Sequence, residues 1–141
     1  MRKADWLCLD MSLEAGVLVD FDGNPIYWHL PNNRSAGYIP DSHKLWDEIW
    51  KNRCNLLGFA HSHPGRGFQC PSQEDITTFS AVEAALGEKL IWWIISEDAV
   101  TSIIWVGPHL WDYNNRHENM KCERDPRCKL WLTRLREESR Y

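Results

Sequence analysis

His61 and His63 stand two residues apart, directly after the apolar run Leu56-Leu57-Gly58-Phe59-Ala60. That run reads as a short buried strand. In an extended chain, residues i and i+2 point to the same side, so the two imidazoles can converge on one ion. A glycine-rich loop follows, and then Ser72-Gln73-Glu74-Asp75 opens a helix. Asp75, in its first turn, can supply an oxygen ligand. Two nitrogens and one carboxylate, with a fourth position left for water, make a catalytic zinc arrangement rather than a closed structural one. Ser72 and Asp75, three apart, share a helix face. Ser72 reads either as a plain N-cap or as a hydroxyl that donates to a developing oxyanion, and the two roles can coexist. A lone His-x-His is weak evidence, because two such histidines can equally be ordinary core or surface residues. The strand before it, the glycine-rich loop and the Ser-x-x-Asp after it make the metal reading the stronger one.

The elements that must position these groups can be read from periodicity. Residues 13–30 read as a hairpin, with Gly16-Val17-Leu18-Val19 as one strand, Asp22-Gly23-Asn24-Pro25 as the turn and Ile26-Tyr27-Trp28 as the return. Residues 31–40 read as a loop. Asp41 or Ser42 caps a helix whose apolar stripe is Leu45, Trp46, Ile49 and Trp50. The helix opened by Ser72 carries Ile76, Phe79, Val82, Ala85 and Leu86 on its apolar face. Two strands, 90–95 and 101–106, meet at a turn around Glu97-Asp98. The stretch 107–125 reads as polar and irregular, and 126–139 as a terminal helix with Leu130, Trp131 and Leu135 apolar. The expected fold class is α/β, a mixed β-sheet flanked by helices, as a single domain over residues 1–141.

Composition narrows the field. The chain has 141 residues, enough for one domain, and 43% of them are hydrophobic, enough for one core. A net charge of −4 argues against a nucleic-acid binder, which needs a basic face. No apolar run approaches a membrane span, and the N-terminal residues lack the apolar stretch of a signal peptide. Five cysteines at irregular spacing read as reduced thiols of a cytoplasmic protein. Nine tryptophans are many for this length; each carries an N–H that wants a partner, which favours positions at the edge of the core or in a recognition surface.

The segment His61-Ser62-His63-Pro64-Gly65 with Pro71-Ser72-Gln73-Glu74-Asp75-Ile76 resembles the JAMM (JAB/MPN) metalloproteases, whose signature is a glutamate, then His-[Ser/Thr]-His-Pro, then Ser-x-x-Asp. The likeness runs from about Leu13 to Val106 and is to compact bacterial members. It implies a JAMM/MPN-like (cytidine-deaminase-like) domain, one catalytic Zn2+ on His61, His63 and Asp75, and hydrolysis of isopeptide or peptide bonds after the tail of a ubiquitin-like protein. It also implies a general base on a strand just ahead of a Gly-hydrophobic run, which Glu14-Ala15-Gly16-Val17-Leu18 matches. Glu14 would take a proton from the attacking water and pass it to the leaving amine, with Ser72 facing the oxyanion. The chain departs from the pattern by one extra residue between His63 and Ser72. Counting from His63 puts Glu74 in the ligand position, whereas the intact Ser-x-x-Asp spacing puts Asp75 there. Asp75 is preferred, because a glycine-rich loop absorbs one residue easily and Glu74 lies roughly 200° around the helix from Ser72.

Other readings compete. Cys70 could ligate a metal, and His109, His117, Cys122 and Cys128 could form a second, structural zinc site, although their spacing matches no finger pattern. Trp28-His29-Leu30 and Trp92-Trp93 read as core and core-edge packing. Besides the ubiquitin-like isopeptidase, the same scaffold could serve as a small-peptide or cell-wall peptide hydrolase, or as a relative associated with DNA repair. A metal-free partner-binding scaffold is disfavoured, because both histidines and the aspartate are present.

Overall fold

In the computed structural model, which describes residues 11–37, 39–119 and 126–140, one sheet of six strands runs in the order β2-β1-β3-β4-β5-β6. β1 (Gly16–Asp20) and β2 (Pro25–His29) form the expected antiparallel hairpin. The Asp20 carboxylate closes its turn by accepting from the backbone N–H groups of Asp22 (3.0 Å) and Asn24 (2.9 Å). β3 (Leu56–Ser62) pairs with β1 antiparallel and with β4 (Ile91–Ile95) parallel. A parallel neighbour needs a long crossover, and helix α2 (Gln73–Leu86) supplies it. β5 (Ala99–Trp105) and β6 (Tyr113–Asn119) extend the sheet in antiparallel steps. Helix α1 (His43–Lys51) precedes β3, and α3 (Leu132–Glu138) follows β6.

Side chains alternate across a strand, so each strand feeds two cores. On one face Leu18, Trp92 and Ile94 pack against Leu45 and Ile49 of α1 and Phe79 and Val82 of α2. On the other, Val17, Trp93 and Ile95 pack against Trp131, Leu132 and Leu135. Trp92 and Trp93, adjacent in the chain, therefore anchor opposite layers, as expected for core residues. The mixed sheet flanked by helices is the expected fold class.

Several boundaries differ from the sequence reading. The stretch taken as irregular after residue 107 contains β6, which pairs with β5 from Trp105↔Tyr113 to Ala99↔Asn119. It is an edge strand, so its pattern is polar and carries no apolar alternation. The last helix starts at Leu132 rather than 126, and Leu130 is exposed, while Trp131 and Leu135 are buried as expected. In α1 the stripe is narrower than expected. Leu45 and Ile49 are buried, but Trp50 is exposed with the Arg53 guanidinium 4.2 Å above its ring. In α2 Ala85 is exposed and Glu83 takes a core position instead. Glu83 accepts from Leu90 N (2.8 Å), Trp92 Nε1 (3.1 Å) and Tyr113 Oη (2.6 Å). Three donors are what a buried carboxylate requires.

Candidate metal centre

β3 delivers the histidines as its alternation dictates. Ser62 points to the face opposite His61, where its Oγ accepts from Ala15 N (2.8 Å) and from Ser139 Oγ (2.7 Å). His63 continues the ladder one residue past the strand, its N–H donating to Ile95 O at 2.9 Å. The two imidazoles meet on the α1/α2 side, with Nε2 atoms 2.9 Å apart. Gly16 is the cross-strand partner of His61. A Cβ there would collide with the ring of Phe59, and that ring stacks on His61 at a centroid distance of 6.1 Å. His61 Nδ1 is buried without a hydrogen-bond partner, so aromatic packing by Phe59 and Phe79, rather than a second hydrogen bond, orients this ring.

The loop 64–71 is tied to the turn between β4 and β5. Glu97 N donates to Gly65 O (2.9 Å), Ser96 Oγ to Gly67 O (2.6 Å), and Gly67 N to Asp98 Oδ1 (2.7 Å). Gly67 holds φ 80°, a left-handed conformation that suits glycine. The loop ends in a reciprocal capping box. Ser72 Oγ accepts from Asp75 N (3.0 Å), and Asp75 Oδ2 accepts from Ser72 N (2.9 Å). This box aims the Asp75 carboxylate at the histidines, with Oδ1 3.5 Å from His61 Nε2 and Oδ2 3.3 Å from His63 Nε2. Glu74 is exposed and lines the rim of the cleft above the site. Asp75, not Glu74, is the residue that meets both histidines.

These distances permit a test of fit. Ligands about 2.0–2.1 Å from a tetrahedral zinc lie about 3.3 Å from one another. The closest approaches, 2.9 Å between the imidazoles, 3.3 Å from His63 to Asp75 Oδ2 and 3.5 Å from His61 to Asp75 Oδ1, bracket that edge. A metal could equally recruit Glu14, which offers a ligand atom in a group with His61 and His63 whose members all lie within 4.8 Å. Electrostatics separates the two carboxylates. Burial would raise Asp75, but hydrogen bonds from His61 and His63 outweigh it and hold the carboxyl well below the usual range. Glu14, 7% exposed, is pushed up to about 7, chiefly by burial, with His63 pulling it down and Asp75 pushing it up. Burial also depresses His61, against the pull of Asp75, which favours the neutral imidazole a metal needs. One carboxylate is thus kept ionised and the other poised near neutrality, a division that suits a ligand and an acid–base group.

A cleft of about 460 Å³ opens over the site and is lined by Glu14, His63, Ser72, Glu74 and Asp75 among others. The alternative metal residues are not brought together. Cys70 is exposed, Cys128 is buried in the same core cluster as Trp131, and His109 lies exposed in the β5–β6 connection. Among the described residues none of these three joins a candidate metal group; the His117 side chain and Cys122 lie outside the described residues. Sequence reasoning missed Glu83. Its one signal was a charge at a core position of α2's stripe.

Two histidines leave a central strand, an aspartate comes from the first turn of the next helix, and a buried glutamate lies beside an open cleft; together they form a candidate metal site. The family model of prokaryotic homologs of the JAB domain matches residues 6–107, and the chain belongs to that family. No curated protein matches the chain. The matched stretch ends just after β5, so β6, α3 and the connections around them lie beyond it.

Proposed function

We propose that this protein is a zinc-dependent peptidase or isopeptidase that cleaves after the C-terminal tail of a ubiquitin-like protein. The observation that carries the reading is the convergence of His61 Nε2, His63 Nε2 and the Asp75 carboxylate beside Glu14, in a chain of the JAB family. His61, His63 and Asp75 hold the metal, Glu14 is the general base and acid, and Ser72 is the oxyanion donor. When bound, the zinc ion supplies Lewis acidity to the scissile carbonyl and the attacking water. Glu14 takes a proton from that water and returns it to the departing amine; a group poised near 7 can do both. Ser72 Oγ uses a lone pair for Asp75 N, so its O–H stays free to donate to the developing oxyanion. Capping and catalysis are compatible at this one hydroxyl.

Exposed free thiols at Cys54 and Cys70 favour a reducing compartment, and we assign the protein to the cytoplasm. Among the described residues, no helix is long and apolar enough to cross a membrane. The test is a panel of ubiquitin-like proteins extended past their tails by a reporter, incubated with zinc-loaded protein with and without a chelator. Wild type should cleave at least one fusion and stop when chelated. Glu14→Gln should keep zinc and lose about 10²–10⁴-fold in kcat. An intact panel together with hydrolysis of cell-wall or other short peptides would replace the substrate assignment. Failure to bind zinc would overturn the whole reading.

A further inference from the structure

Trp111 lies in the connection between β5 and β6, beyond the family-matched stretch, and is 54% exposed. With Gln73, Glu74, Thr77 and Thr78 of α2 it lines a shallow groove of about 390 Å³. Glu74 and Thr78 also line the cleft that holds Glu14, His63 and Asp75, so the groove continues the cleft along α2. The groove's chemistry is specific: one indole, one carboxylate, and otherwise neutral hydroxyl and amide groups. An indole face attracts cations through its quadrupole, and this chain already uses that attraction. Arg53 sits over Trp50 (4.2 Å), Lys89 over Trp105 (4.0 Å) and Arg134 over Trp28 (4.2 Å). Among the described residues no cation of the chain lies over Trp111, and Glu74 forms no ion pair. The N-terminus of α2 opposes a cation with about half a positive charge, but the full negative charge of Glu74 exceeds it.

We propose that Trp111 and Glu74 form a subsite for a cationic side chain, lysine or arginine, of the polypeptide being cut. The substrate in question rests on the hydrolase reading above; the subsite itself rests on the groove. Two measurements keep these apart. In the first, zinc-loaded protein with ¹⁵N-labelled tryptophan is titrated with acetyl-Gly-Lys-Gly-amide and with the same peptide carrying norleucine in place of lysine. The lysine peptide should shift the Trp111 indole N–H signal, identified by its loss in Trp111→Phe, and Glu74→Gln should weaken that shift. The norleucine peptide should leave it in place. Equal shifts from both peptides would make the groove an apolar subsite, and no shift from either would make Trp111 a bystander; each result overturns the proposal. In the second, any cleaved fusion is compared with lysine or norleucine near the scissile bond. Trp111→Ala should raise KM about tenfold for the lysine form, more than it changes kcat, with a smaller effect on the norleucine form. An unchanged KM would overturn the subsite. A Trp111 shift with lysine in a protein that cleaves no fusion would sustain the subsite and defeat the substrate reading.

Discussion

Glu14 and Asp75 face the same pair of histidines, yet their surroundings drive their acidities apart. Asp75 receives both imidazoles and the capping N–H of Ser72, so its anion is well solvated by the protein. Glu14 sits ahead of β1, its backbone held by Ser35 O and the Arg34 guanidinium, and its buried carboxyl favours the neutral form. This has a measurable consequence for stability. A folded-state value of about 7 against an ordinary 4.5 means that Glu14 binds its proton more tightly folded than unfolded. Its contribution is complete below pH 4.5 and is lost as pH rises through about 7. In metal-free protein, the stability of wild type relative to Glu14→Gln should therefore fall by on the order of 3 kcal/mol across that window. Asp75 titrates with the opposite sign and below the window, so the difference across it reports Glu14 together with its coupling to His63 and Asp75. Urea melts of the pair at several pH values measure it; a pH-independent difference would mean that Glu14 ionises freely.

Helix α2 couples the site to the rest of the sheet. Its first turn presents Asp75 through the capping box, and its third buries Glu83 against donors from β4 and β6. Trp92, held by Glu83, stacks on Phe79 at 4.3 Å, and Phe79 in turn meets the edge of His61 at 6.2 Å. Burial and the nearby carboxylate also push the Tyr113 phenol above its usual range. Removing Glu83 would leave Leu90 N, Trp92 Nε1 and Tyr113 Oη without an acceptor. Glu83→Ala should cost about 3–5 kcal/mol in chemical denaturation, and Glu83→Gln markedly less, because an amide oxygen still accepts. A loss below about 1 kcal/mol in Glu83→Ala would show that water replaces the carboxylate.

The whole molecule places its candidate metal ligands on one face of the sheet and closes the other face with α3. Ser62, between the two histidines, is buried and bonded to Ser139 just after α3. Both layers thus brace the strand end that carries the site. Binding to a folded-state site of this kind stabilises the fold by mass action. Zinc at about 100 times its Kd should add about 2.7 kcal/mol, or roughly 5–10 °C in Tm for a domain of this size. Chelation should reverse the gain, and Asp75→Asn should abolish most of it, as read by scanning fluorimetry. An equal gain in Asp75→Asn would place the ion elsewhere.

Local physics made much of this legible in the sequence. Strand alternation put His61 and His63 on one side, the Ser-x-x-Asp spacing singled out Asp75 over Glu74, and turn chemistry marked the β1–β2 hairpin. Each depends on residues within a few positions of one another. Tertiary structure decided the rest. β6 has a polar sequence and becomes a strand because β5 offers it an unpaired edge. Glu83 is tolerated in the core because donors from two distant strands converge on it. The meeting of Glu14 with the histidines depends on the pairing of β1 with β3, a contact that no local pattern encodes, and the groove of Trp111 exists because the β5–β6 connection returns to α2.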